Sequence, residues 1–527
     1  RRLHGLFRTV LLGANGVPEV APEDVYTDPR EWVAGFPRGR RAEYLRVIDD
    51  ALALTDDDFM GIAATQIQAR LILRYPLFNA DLFGVRRRGH QTVQRAFGHV
   101  RQLARRAETP QQREQRESIF TSSVFLKVEK LTKRNFFEQD EVQPRLIIGV
   151  NERYNLHLVK YCGPMLTKAL ACVFMEKTNI VWTYAFTAEQ IGACLQIFLR
   201  DGYKPDTKEE CVVNEPYQDG GEWVFGSSDI SRCDADVGPV VYAAFADILN
   251  TLRFPRWIQA WVWALIQLRG TSGGITYTIA YLNLSGVLIT TLLTLIAQTI
   301  AVLIGTAEAI EEVGEPVTTD TLIEYGGLEM MLGDDNFSAY AQDNLSVKMK
   351  VTAAYANIGF KIKSQRSTKL HDLDYLSHLF LPTGRGLVLA PMIGRFFCKI
   401  FWADVPMQEQ HKAAHLSGVM AGWYRYSQNL PYMRVVSTFA FKAAVPSRRV
   451  RVKLQKFRES IGMPTPQHPY EVVDETLAFL SSRYNVAFDD NQKLHEDEAK
   501  LERALRGEDA YPESLYAFAD RDCELGE

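Results

Sequence analysis

The sequence predicts a mixed α/β protein of the α+β kind, and three observations predict it. Between residues 166 and 400, apolar stretches of helical length alternate with short strand-like runs; beyond 401 the pattern turns helical. The composition is that of an ordinary globular chain, with 46% hydrophobic, 24% charged and 11% aromatic residues in a length of 527, so a sizeable core is expected and disorder or fibrous repeats are excluded. The net charge is only −4, from 60 Lys plus Arg against 64 Asp plus Glu. Any preference for nucleic acid or lipid must therefore be local. The 7 cysteines are scattered, with no close pair of the zinc-binding kind, which points to a reducing compartment.

Taken in order, the chain opens RRLHGLFRTVLLGANG, without an initiator Met, a start compatible with processing or readthrough. Arg8 interrupts the short apolar run, so the segment is a poor secretory signal; a short basic helix on a membrane surface is the other reading. Residues 1–115 mix Pro-containing loops with basic helical stretches, and 116–165 read as strands and loops rich in Lys and Arg. Residues 270–307 carry no charge, and 284–304 are long enough to span a bilayer. Yet Gly286, Thr290, Thr294 and Gln298 recur every fourth residue. That small or polar stripe suits a packed interior better than lipid, so a buried core helix is expected.

The strongest chemical signal is LEMMLGDDNFSAY. Gly333 followed by Asp334 and Asp335 between two apolar runs predicts a hairpin whose tight turn exposes carboxylates. Adjacent acids repel unless a cation lies between them, and hard oxygen donors of this type suit Mg²⁺. A solvated turn uses the same residues. Upstream, VFGSSDISRCDADV ends a strand-like run at Asp229, with Asp234 five positions on. Asp229 is equally a good helix cap. Strand-end carboxylates from two segments are what an in-line phosphoryl transfer on paired metal ions requires. Between them, RGTSGGITYTIAYLN reads as a Gly-rich loop opening the uncharged helix, where Ser272, Gly273, Thr278 and Asn283 offer close backbone approach and short hydrogen-bonding groups to a ribose.

In the order Asp229-x4-Asp234, then Ser272-Gly273 with Thr and Asn downstream, then Gly333-Asp334-Asp335, the chain resembles the viral RNA-dependent RNA polymerases. DISRCDADV is similar to the first motif of the tombusvirus-like and nodavirus-like enzymes. FLKVEK and PRLIIGVNERYNLHLVKY resemble the motif through which those enzymes admit nucleotides. The resemblance covers residues 120–385. It implies that Asp229 and Asp334 bind Mg²⁺, or alternatively Mn²⁺, with Asp335 assisting. Asp234 and Asn283 would sense the ribose 2′-hydroxyl, Asn336 would stand with the substrate-binding residues, and Lys127, Lys130 and Arg145 would grip the triphosphate. In ANIGFKIKSQ, Lys361 or Lys363 would be the general acid for the leaving pyrophosphate, although a solvated basic strand looks the same. DYLSHLFLPTG would be the hairpin that grips the primer end. One departure stands out: the family's Thr and Asn positions after Ser272 hold Tyr277 and Tyr281, with Thr278 and Asn283 displaced by one and two residues.

The implied fold is a right hand. Residues 1–115 would extend the fingers, 116–228 form them, 229–400 form a palm on an antiparallel sheet flanked by helices with a fingers segment at 240–270, and 401–527 form thumb and tail. The basic run 448–458 would track template phosphates. Implied partners are RNA template, nascent RNA, NTPs, other replication proteins of a positive-strand RNA virus and a host membrane surface, in the host cytoplasm at membrane-associated replication complexes. A reverse transcriptase is the nearest alternative, and Leu332 with Gly333 before the acids argues against it. A membrane-embedded scaffold spanning lipid with 284–304 is the alternative from another class.

Overall fold

The computed structural model describes residues 2–26, 161–218, 222–254 except 232, 289–400, 427–443 and 470–523 except 489, with the strand backbones at 121–126, 146–150, 267–272 and 275–280 and a few isolated positions. Its first helices are α1 (Arg2–Leu11), α2 (Pro164–Lys177), α3 (Ala188–Asp201), α4 (Cys233–Asp236) and α5 (Pro239–Thr251). Then follow α6 (Thr290–Glu312), α7 (Thr319–Tyr325), α8 (Leu345–Asn357) and α9 (Ile393–Lys399). The C-terminal part is helical as expected, with α10 (Met433–Ala443), α11 (Asp474–Tyr484), α12 (Asn491–Leu505) and α13 (Glu513–Cys523).

Strands β1 (Thr121–Leu126), β2 (Leu146–Val150), β5 (Gln267–Ser272) and β6 (Ile275–Ala280) form one sheet in the order β2-β1-β5-β6. Strands β3 (Ile180–Trp182), β4 (Trp223–Ser231), β7 (Leu328–Leu332), β8 (Asp335–Ala341) and β9 (Lys361–Ser367) form a second, ordered β3-β7-β8-β4-β9. A hairpin of β10 (His378–Thr383) and β11 (Gly386–Pro391) stands apart from both.

Two expectations are corrected. The five-strand sheet is mixed, not purely antiparallel, because β3 joins β7 in parallel. Asn179, just before β3, donates from Nδ2 to the carbonyls of Ile323 (2.7 Å) and Gly326 (2.6 Å), which brings the starts of the two strands together. The second correction concerns residues 275–280, expected in a loop opening a helix. They form β6, paired with β5, and the long helix begins only at Thr290. The alternating β-branched and aromatic residues of ITYTIA favour an extended chain over a helix start.

The sheet has two differently covered faces. Ile180, Trp182, Ile230 and Met331 point to the side packed by α6 and α8, while Val181, Phe225, Met330 and Phe337 point to the side covered by α3 and the β10–β11 hairpin. This is the period-two alternation of strands buried on both faces. Helix α6 is long and apolar enough to cross a membrane by length and composition, yet it is largely buried inside the protein. Its stripe faces inward, with Thr294 and Gln298 buried, and beside the stripe Trp182 Nε1 donates to Thr299 Oγ1 at 2.9 Å. Gly305 lets α6 and α8 cross closely, because an added Cβ would lie 2.4 Å from Val351 Cα. Gly305→Ala should lower stability by roughly 1–3 kcal/mol, read as a drop in Tm, since overpacking against backbone has no cheap relief. An unchanged Tm would contradict the close crossing.

Helix α1 is amphipathic, but its apolar face is not left for a membrane. Leu6, Phe7, Val10 and Leu11 are buried in the same core as α5 and α6. Its polar side is tied down as well, by Arg2 to Glu308 and Glu311 and by His4 to Asp247. At the other end, Asp522 on α13 accepts from the Gly394 amide and the Tyr484 hydroxyl, both at 2.8 Å, and pairs with Arg483 at 3.3 Å. Arg483 in turn donates to the carbonyls of His371 and Asp372. The last helix is thereby fastened to the loop ahead of β10.

Candidate active site

The expected hairpin forms. β7 and β8 pair with Leu332 opposite Asp335, leaving Gly333 and Asp334 at the tip. Gly333 has φ +64° and Asp334 is not in the left-handed region, the pattern of a turn that needs glycine at its first central position. β4 lies next to β8 in a register that sets Asp229 opposite Asp335. On its other side β4 pairs with β9, which sets Lys363 opposite Asp229 and Lys361 opposite Ser231. Directly opposed residues share a sheet face, so Asp335, Asp229 and Lys363 form a row across three strands. The turn is stitched to the same place, with the Ile230 amide donating to the Asp334 carbonyl at 3.4 Å.

Under this row lies an aromatic layer. Phe337 stands 4.6 Å from Phe380 and 6.2 Å from Phe225 between ring centroids, and Tyr375 joins them. Burial against that layer, followed by the negative charges of Asp334, Asp229 and Asp374, pushes the Asp335 carboxyl up to about 7, with Arg395 opposing. The folded state therefore keeps a proton on Asp335 that the unfolded chain, with an ordinary carboxyl near 3.9, has already lost. Its contribution to stability is full below pH ~4 and declines as pH rises to ~7. Without divalent salt, Asp335→Asn should raise the Tm, and the gain over wild type should widen between pH 5 and pH 8, reaching on the order of 2 kcal/mol after allowance for solvent screening. A gain that shrinks with rising pH would refute the upward shift of the Asp335 carboxyl.

Asp374 and Arg395 were not singled out in the sequence. Asp374 sits ahead of β10, where its carbonyl accepts from Ser227 Oγ at 2.7 Å. Leu376 and Ser377, with φ of 55° and 61°, make the turn between the bridged residues Tyr375 and His378. Neither is a residue that favours left-handed backbone, so strain is stored beside the acids. Arg395 Nη1 donates to Ser377 Oγ at 2.5 Å. The polar residues of HDLDYLSH carried the available signal, masked by the apolar strand that follows.

Asn336, expected with the substrate-binding residues, does not join the row. It lies on the opposite sheet face, buried, with Nδ2 donating to Glu329 Oε2 at 2.7 Å. There Glu329, wholly buried, also accepts from the Tyr340 hydroxyl (2.7 Å) and Lys348 Nζ (3.0 Å). Asn336 thus belongs to a buried polar network, not to the acidic row. Asp234 falls in α4 and Ser272 and Thr278 fall in β5 and β6, where the backbone alone is described. Lys127, Lys130, Arg145, Gly273, Asn283 and the basic run 448–458 lie outside the described residues.

The donor set fits a hard divalent cation: carboxylate oxygens on two adjoining segments, where burial and then mutual repulsion hold a proton on Asp335 near neutrality. Among the described residues no group of three or more His, Cys, Asp or Glu side chains is arranged to hold a metal ion. A cation held by Asp229 and Asp334 would therefore draw further oxygens from solvent or substrate, as Mg²⁺ commonly does. No known family profile matches the chain, and no curated protein matches it either.

Proposed function

We propose that the chain is the RNA-directed RNA polymerase of an RNA virus, copying an RNA template with NTPs. The observation that carries this reading is the register that sets Asp229 opposite Asp335, with Asp334 in the adjoining turn. Two carboxylate-bearing segments far apart in sequence meet at one end of a sheet, and a lysine strand flanks them. In this reading the five-strand sheet, backed by α6 and α8, is the palm of a right-hand enzyme, with fingers contributed from before residue 229 and thumb from after 400.

The 3′-hydroxyl oxygen of the growing strand attacks the α-phosphorus of the incoming NTP. A new P–O bond forms as the bond to the β-phosphate oxygen breaks, the hydroxyl proton passes to solvent, and pyrophosphate leaves. Asp229 and Asp334 would hold Mg²⁺, which when bound supplies charge neutralisation and alignment of the phosphates. Lys363, opposite Asp229, is better placed than Lys361 to protonate the pyrophosphate. Both lysines are exposed on an edge strand, where charge also discourages strand addition by another chain. Burial of α6 supports the enzyme reading over a lipid-spanning scaffold.

The test is incorporation of labelled ribonucleotides by the full chain on a homopolymeric RNA template, with Mg²⁺ and with chelator, comparing wild type and Asp334→Ala. Template-dependent, Mg²⁺-dependent synthesis that is lost in the variant is expected. Synthesis that survives the substitution overturns the site.

A further inference from the structure

We infer that Gln298 is a positioning residue for the acidic turn, an assignment that rests on the two-carboxylate reading above. Gln298 lies in the apolar stretch of α6 with no exposed surface, and its Nε2 donates to the carbonyl oxygen of Gly333 at 2.7 Å. A primary amide buried among Leu and Ile is costly unless both its ends are satisfied. Here both are: the Tyr355 hydroxyl on α8 donates to Oε1 at 3.4 Å. A carbonyl can only accept, so the nitrogen end of the amide must face Gly333.

The bond acts on the peptide that joins Gly333 to Asp334. Gly333 has the left-handed backbone of the turn, and its carbonyl is directed down into the protein toward α6. One residue on, the Asp334 carbonyl is held by the Ile230 amide of β4, next to Asp229. The backbone of Asp334 is thus pinned on both sides, to the helix beneath and to the strand that carries the other acid. Gln298 does not touch the reacting groups; it fixes the peptide plane from which the Asp334 carboxylate projects.

The deciding experiment uses the full chain and Mn²⁺ as the probe, its binding read by electron paramagnetic resonance beside steady-state incorporation kinetics. Gln298→Met, similar in volume but without a donor, should weaken Mn²⁺ binding about 10-fold and lower kcat by a similar factor, with KM for NTP within twofold, as loss of an outer-shell partner does. A packing role alone would lower Tm without moving Mn²⁺ affinity. Should the Met variant fail to fold, Gln298→Leu, which also lacks a donor, is read in the same way. A folded variant whose Mn²⁺ affinity and kcat stay within twofold of wild type overturns the assignment. If wild type binds Mn²⁺ through Asp334 but makes no RNA, the polymerase reading falls while the Mn²⁺ shift still decides the role of Gln298. If wild type binds no Mn²⁺, the assignment falls with it.

Discussion

Asp229→Asn should lower ribonucleotide incorporation by about 10²–10³-fold, because in the proposed reaction it removes charge stabilisation aimed at the transferring phosphate. Asp229 is exposed at the end of β4, between Asp335 on one side and Lys363 on the other. An amide of the same shape preserves the strand ladder, so the fold should be kept. Removing one member of a crowded carboxylate group should even relieve repulsion on Asp335. The expected signature is therefore a near-dead protein with an unchanged or slightly raised Tm in the absence of divalent salt. Loss of activity accompanied by unfolding would instead make Asp229 a structural residue, and retained activity would remove it from the site.

The second large effect is on stability. Glu329→Ala should destabilise the protein by about 3–5 kcal/mol, the cost of leaving a buried charge without its partner. Glu329 is the common acceptor for Asn336, Tyr340 and Lys348 on the face of the sheet turned toward the helices. Lys348 is almost as buried as Glu329, so water cannot replace the lost carboxylate. The paired change Glu329→Leu with Lys348→Met removes both charges and should recover most of the loss, because the desolvation penalty then disappears from both. Denaturant unfolding of the two variants distinguishes the cases. A single variant within 1 kcal/mol of wild type, or a double variant as unstable as the single, would show that the pair is not a closed buried unit.

How much of this was legible beforehand varies with the physics of each element. The Gly333 turn was readable because a two-residue hairpin narrows the choice of residues to a few types. The strand ending in Asp229 was readable from its apolar run. Their meeting was a matter of register between strands far apart in sequence, which local patterning does not encode and which entered only as an expectation from resemblance. β3 is too short, at three residues, for any periodicity to show, so the parallel partner of β7 was missed. In residues 275–280 the adjacent glycines drew attention to a loop, while the alternation that makes β6 was in plain view. The stripe on α6 was correctly assigned to the interior, but nothing in its spacing distinguished Gln298, which reaches the turn, from Thr294, which returns its hydroxyl to the Thr290 carbonyl. Asp374 and Arg395 reach the acids through tertiary folding alone.

The fastening of Asp522 to residue 394 bears on how the protein is made. During synthesis the chain grows from its N-terminus, and α9 leaves the ribosome more than a hundred residues before the carboxylate that satisfies its first turn. Until then the Gly394 amide lacks its carboxylate acceptor and the Arg483 guanidinium its charge partner, at a place where the apolar residues of α9 and α11 share one core. A chain ending before residue 522 would lack the carboxylate that joins α9, α11 and α13.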